Sequence, residues 1–177
     1  MDTGAGDLHL AVCGRFGAAV LSADGKWERQ SPCAAWNARD VLEHVIGFHD
    51  VLLLCPLGLK PDRPRDDPRR RWELTYHQLR KAFSQDLFDR IVLDADKLVP
   101  RLTRDVLAHT WDLARAVGAD DALDPDWCGC FLDRLPADAS ALNASGMFAT
   151  PVVTDDQTST QSRLLARLGR DPSWRDR

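Results

Sequence analysis

Asp105 and His109 lie four residues apart in a segment with helical periodicity, so they share one edge of its apolar stripe. The stripe itself consists of Leu102, Val106, Leu113 and Val117. A carboxylate and an imidazole on one helix edge can bind a divalent ion when a neighbouring helix supplies a third ligand. Two imidazoles and one carboxylate suit Zn²⁺, Ni²⁺ or Fe²⁺ and leave positions open for water or substrate.

An imidazole for that third position is available in an earlier segment. His44 lies at the edge of the apolar face of the second predicted helix, and His49 lies in the middle of that face. Spacing alone leaves a simpler interpretation open, in which Asp105 and His109 form only a hydrogen-bonded pair worth about 0.2–0.5 kcal/mol. We interpret His49 and His77 as core or surface histidines rather than as ligands. The remaining histidine, His9, lies in the first predicted helix, and the sequence indicates no partner for it.

The chain has five cysteines, an odd number with scattered positions. This usage favours free thiols in a reducing cytosol over a disulfide framework. Cys128 and Cys130 form a single Cys-x-Cys pair without a second pair, which is a weak signal for a metal site. Cys33 follows a Ser-Pro step in a predicted loop. The sequence leaves the roles of these three cysteines open.

Helical periodicity recurs along the chain, and period-2 alternation is absent. The predicted helices cover residues 7–21, 38–54 after an Asn37 N-cap, 69–87, 103–117 with Thr103 as cap, a stretch beginning at Pro125, and 156–168. The sequence does not decide whether residues 89–100 form a short extended segment or the end of a helix. These elements predict an all-α, up-and-down four-helix bundle with additional C-terminal helices, in a single domain spanning residues 1–177.

Charge and hydropathy exclude several classes of partner. The formal net charge is −4 and no basic stripe is visible, so we expect no nucleic acid. No apolar run approaches the roughly 18 residues of a membrane span, and the acidic start is unlike a signal peptide. We therefore expect no membrane association and a cytoplasmic location.

Three stretches, taken together, resemble a known family. They are residues 31–44 (SPCAAWNARDVLEH), residues 105–116 (DVLAHTWDLARA), and residues 146–148 followed by 164–172 (LLARLGRDP). They resemble the actinobacterial metal-binding branch of the DinB-like superfamily, which is related to the N-terminal domain of mycothiol-dependent maleylpyruvate isomerase. The most specific piece is the string from His109 to Ala116.

This resemblance implies a four-helix core with a divalent metal, often zinc or nickel, held at positions matching His44, Asp105 and His109. It implies a low-molecular-weight thiol such as mycothiol as cofactor, an electrophilic partner, an S-transferase or isomerase reaction, and a homodimer. We hypothesise that Asp112 lies beside the ligands and orients or neutralises a nearby basic group. Arg115 is the nearest candidate for that group. The alternative functions are a non-enzymatic metal-binding or stress-response protein, and a structural protein with a vestigial site.

Overall fold

The computed structural model describes residues 3–85, 87, 94–136, 149–155 and 158–175. Within these residues the chain is all-helical, as predicted, and contains no β-strand. The α-helices are α1 (Thr3–Leu21), α2 (Ala38–His49), α3 (Pro68–Ser84), α4 (Ala95–Val117), α5 (Pro125–Asp133) and α6 (Thr160–Arg167). A π-helical turn, Asp50–Leu54, continues α2.

The first four helices form a bundle in which α4 packs against α1 and α2, and α3 packs against the same two helices. Helix α5 packs against α6. One buried apolar cluster runs through all six helices, so the core is continuous from the bundle into the C-terminal pair. The central members of this cluster include Phe16, Leu42, Leu79, Trp111, Phe131 and Leu165.

Local signals explain where most helices begin. The Asn37 side chain accepts a hydrogen bond from the Asp40 amide, and the Asp40 carboxylate accepts one from the Asn37 amide, both at 2.9 Å. This reciprocal capping box fixes the start of α2 as predicted. Asp124 caps α5, and Pro125 occupies its first position, also as predicted.

The prediction that Thr103 caps the fourth helix is wrong. Helix α4 begins at Ala95, where the Asp94 side chain accepts from the Asp96 amide. Thr103 lies inside the helix, and its hydroxyl donates to the Val99 carbonyl at 2.7 Å. The ambiguous stretch 89–100 is therefore helical from 95 onward, and its residues 89–93 lie outside the described residues.

Other predicted boundaries shift by a few residues. Helix α1 begins four residues before the predicted start, α3 ends at Ser84, and α6 begins at Thr160. Within the loop predicted over 143–155, residues 149–155 have no regular secondary structure, and residues 143–148 lie outside the described residues. Across the helices that the structure describes, none has the length and apolarity needed to cross a bilayer.

Candidate metal centre

Helices α2 and α4 bring His44, Asp105 and His109 together, as the sequence predicts. His44 Nε2 lies 3.4 Å from Asp105 Oδ2, and His109 Nε2 lies 3.6 Å from Asp105 Oδ1. The two imidazole rings are 4.7 Å apart between centroids. One ligand atom from each residue lies within 4.8 Å of the others, so the three form a group that could hold a metal ion.

Two atoms of this group lack the partners that buried polar atoms normally have. Within the described part of the chain, His44 Nε2 and Asp105 Oδ2 are buried and make no hydrogen bond, because their 3.4 Å contact lacks hydrogen-bond geometry. An unpartnered buried donor or acceptor costs roughly 1–3 kcal/mol. A cation between these two atoms and His109 Nε2 would remove that cost, so the residues present fit a divalent ion.

Asp112 fixes the orientation of the His109 ring. His109 Nδ1 donates to Asp112 Oδ2 at 2.9 Å, which leaves Nε2 as the unprotonated nitrogen of the neutral ring. That nitrogen faces Asp105. Metal-ligating histidines commonly carry such a carboxylate on the second ring nitrogen, where it sets the tautomer and raises ligand basicity. Asp112 therefore has the supporting position that the sequence suggested.

The predicted partner of Asp112 is wrong. Arg170, from the C-terminal segment, donates to Asp112 Oδ2 through Nη2 at 2.9 Å and Nε at 3.3 Å. Arg115 points elsewhere: it pairs with Asp121 and lies over the Trp111 ring at 5.1 Å. Arg170 is 58 residues away from Asp112 in sequence, so no local spacing rule connects the two.

Burial and neighbouring charges oppose each other at both carboxylates. Burial raises the pKa of Asp112, but Arg170 and His109 outweigh it and hold that pKa well below its usual range. Burial also raises the pKa of Asp105, and His109 and His44 in their protonated forms more than offset it, so the net shift is downward. Both groups are therefore carboxylates at neutral pH, as a metal ligand and its supporting acceptor require.

A cavity of about 350 Å³ opens beside the three candidate ligands. Its walls come from the loop before α2 and the C-terminal segment, and they include Pro32, Cys33, Trp36, His44, His109 and Arg170. The Trp36 ring lies 4.7 Å from the His44 ring and 5.5 Å from the His109 ring. The volume falls in the range of small-molecule sites, and an aromatic wall with a few polar groups is typical of them.

Cys33 is the cysteine that faces this cavity. Its thiol donates to Asp112 Oδ2 at 3.3 Å, and Arg170 Nη2 lies 3.9 Å from its sulfur. Burial, followed by the charge of Asp112, raises the pKa of Cys33 to about 12. Cys33 is thus a protonated thiol at neutral pH and a poor nucleophile.

Cys33, His109 and Asp112 also bring ligand atoms within 4.8 Å of one another. This second grouping is a weaker candidate. Asp112 already accepts from Arg170, from His109 Nδ1 and from the Cys33 thiol. A cation there would displace the guanidinium and would meet the protonated nitrogen of His109. The structure therefore favours the set His44, Asp105 and His109.

Comparisons with known proteins give a distant likeness. Two curated proteins from two strains of Mycobacterium tuberculosis, each named only as uncharacterized, are 29% identical to the chain over 109 residues. The matched region is 54% of this chain and 57% of each relative, so the chain spans about half the length of the curated relatives it matches. No family model and no solved structure matches the chain.

The histidines and cysteines outside the candidate metal centre differ in their burial and contacts. His77 is exposed and lies on the surface. His49 is fully buried in the core, where it also belongs to a group of potential ligands that the sequence did not indicate. His9, for which the sequence indicated no partner, contacts His49 and Cys13 in a second buried cluster. The spacing of His9 and Cys13, four residues apart on α1, is a signal that sequence reasoning could have used. Cys128 is buried, Cys130 is half-buried, and both are free thiols.

Proposed function

We propose that this chain is a metal-dependent thiol-transfer or isomerisation enzyme of the DinB-like type. His44, Asp105 and His109 would hold Zn²⁺ or Ni²⁺, and a small thiol such as mycothiol would be the cofactor. The observation that carries the proposal is the pair of buried atoms without hydrogen bonds, His44 Nε2 and Asp105 Oδ2, next to a cavity that His44 and His109 line. A bound divalent ion supplies a Lewis acid that holds a coordinated thiol as its thiolate near neutral pH.

The chain's own residues favour a thiol from outside the protein. Cys33 is the thiol nearest the candidate ligands, and its raised pKa keeps it protonated. Asp112 holds His109 in the tautomer that presents Nε2, and Arg170 compensates the buried charge of Asp112. The Trp36 ring lies beside the His44 and His109 rings and supplies an aromatic wall to the cavity. A cavity of about 350 Å³ admits a small thiol and part of an electrophile.

Metal content tests the ligand set. Protein purified without an affinity tag should carry about one equivalent of Zn²⁺ or Ni²⁺, and His109→Ala should carry far less. His77→Ala is the matched control, because His77 is exposed and belongs to no ligand group among the described residues. Zn²⁺ at 100 times its Kd should stabilise the wild type by about 2.7 kcal/mol, or roughly 5–11 °C in Tm. Full metal content in His109→Ala would refute the assignment.

A transfer assay tests the reaction. The metal-loaded protein is mixed with mycothiol and monobromobimane, and conjugate formation is compared with the rate without protein. Conjugation above that rate in the wild type, and its loss in His109→Ala, would support the enzyme. A loaded protein that gives only the uncatalysed rate would favour the non-enzymatic metal-binding function.

A further inference from the structure

A second group of potential ligands is buried in the core between α1, α2 and α4. It consists of His9 and Cys13 from α1 and His49 from α2, and all three side chains are fully buried. His9 Nε2 lies 3.2 Å from His49 Nε2 and 3.6 Å from Cys13 Sγ, and Cys13 Sγ lies 4.0 Å from His49 Nε2. Three donor atoms thus converge on one point in the core.

The hydrogen bonds of the other ring nitrogens decide where the protons are. His49 Nδ1 lies 2.6 Å from the Val45 carbonyl oxygen, which can only accept, so Nδ1 carries the hydrogen. Thr103 Oγ1 lies 2.7 Å from the Val99 carbonyl, and its single hydrogen must occupy that contact. Thr103 therefore accepts from His9 Nδ1 at 3.0 Å, and this nitrogen is also protonated.

Both neutral rings consequently present an unprotonated Nε2 to the same point. Two nitrogen lone pairs 3.2 Å apart repel each other unless a proton or a cation lies between them. A proton there would create a buried imidazolium. Burial opposes that charge on His49 and outweighs the charges of Asp105 and Asp50, which favour it. Burial likewise lowers the pKa of both histidines. The Cys13 thiol can donate to one nitrogen and leaves the other unpartnered.

The three donors have the dimensions of a metal site. The circle through His9 Nε2, His49 Nε2 and Cys13 Sγ has a radius of about 2.1 Å, close to metal–nitrogen bond lengths of about 2.0–2.1 Å and a metal–sulfur length of about 2.3 Å. Among the described residues no fourth His, Cys, Asp or Glu joins this group. Thr103 and Val45 supply the outer hydrogen bonds that orient ligating imidazoles.

We propose that His9, Cys13 and His49 form a second, buried metal site that binds one Cu(I) ion. Thiolate is a soft ligand that selects Cu(I) over hard cations, and three donors suit an ion of low coordination number. Binding exchanges the thiol proton for the ion: the S–H bond breaks, an S–Cu bond forms, and the proton leaves to solvent. The resulting site, with one thiolate, two neutral imidazoles and a monovalent ion, carries no net charge, whereas Zn²⁺ would leave a buried positive charge.

The test loads the full-length protein with Cu(I) under reducing, anaerobic conditions and challenges it with a Cu(I) chelator. The wild type should retain about one equivalent of copper, and Cys13→Ala should retain almost none. Cys128→Ala is the matched control, because Cys128 is also buried but belongs to no ligand group among the described residues. Thr103→Val should keep the fold and weaken Cu(I) binding ten- to a hundredfold, since His9 loses the acceptor that sets its tautomer.

Copper K-edge absorption on the wild type keeps the test independent of how well the variants fold. It should report one sulfur and two nitrogen neighbours. Copper retention in Cys13→Ala equal to that of Cys128→Ala, or a coordination shell without both sulfur and nitrogen, would overturn the proposal. His109→Ala should leave copper content unchanged, so failure of this site and failure of the Zn²⁺ or Ni²⁺ site are separately visible.

Discussion

Replacing Asp112 by Asn should reduce both folding stability and metal affinity, for two different reasons. Asp112 is 0% exposed and Arg170 is 7% exposed. Removing one partner of a buried ion pair leaves the other charge uncompensated and costs about 3–5 kcal/mol. For a chain of 177 residues, that cost corresponds to a fall in Tm of roughly 6–20 °C. Loss of the carboxylate on His109 Nδ1 should weaken Zn²⁺ binding ten- to a hundredfold.

A double variant, Asp112→Leu with Arg170→Met, separates the two effects. Apolar residues of similar volume replace a buried ion pair at little or no cost, so the double variant should recover most of the stability lost in Asp112→Asn. It should not recover metal affinity, because the ring of His109 still lacks its acceptor. Urea unfolding of metal-free protein measures the first quantity, and competition titration with Zn²⁺ measures the second.

Either of two results would refute this reasoning. A loss of less than about 1 kcal/mol in Asp112→Asn would mean that the pair is hydrated in solution and behaves like a surface ion pair. Wild-type Zn²⁺ affinity in the double variant would mean that the hydrogen bond from His109 Nδ1 to Asp112 has no part in holding the ion.

Three further predictions follow from other features. Gly169→Ala should destabilise the fold by about 1–3 kcal/mol in urea unfolding, because φ of Gly169 is 78° and the new Cβ would lie 2.6 Å from a backbone oxygen. The control Gly129→Ala, in a helix with open space around the new Cβ, should be neutral or stabilising. Equal losses of stability in the two variants would contradict this prediction. Burial lowers the pKa of His49 to about 4, so the unfolded chain takes up a proton that the folded chain excludes. The free energy of unfolding of metal-free protein should therefore fall as pH drops from about 6.5 to about 4, by up to about 1.4 kcal/mol per pH unit for this group, and a flat profile would count against it. Iodoacetamide at pH 8 should alkylate exposed Cys55 more than about tenfold faster than Cys33, whose pKa is raised to about 12, as measured by peptide mass spectrometry. Similar rates would show that the Cys33 thiol is not buried in solution.

The sequence was sufficient for the features that depend on local spacing. Helical periodicity predicted the all-α class, and the Asn37 cap predicted the start of α2 to the residue. The Asp105–His109 pair was visible because four residues make about one helical turn. Its juxtaposition with His44 was expected from the family resemblance, and the structure brings the three together.

Other features depend on chain segments that meet only in the folded state. Arg170 reaches Asp112 across 58 residues, so the nearer Arg115 was the wrong choice. The convergence of His9 with His49 joins residues 40 apart, and an imidazole in the middle of an apolar face looks like ordinary core from sequence alone. The start of α4 was missed because residues 89–100 were ambiguous and Thr103 looked like a cap, whereas the helix begins at Ala95 and passes through Pro100.

The π-helical turn Asp50–Leu54 changes the direction in which the side chains after α2 point around the helix axis. Along α2 and this turn, one buried side chain recurs every four residues: Val41, Val45, His49 and Leu53. An α-helix completes a turn in 3.6 residues, so a four-residue repeat would drift about 40° around the axis at each step. A π-helical turn contains more residues than an α-helical turn, so it reduces that drift. Deleting one residue here would act as a twist of about 100°, which would swing Leu53 towards solvent while His44 upstream stayed in place.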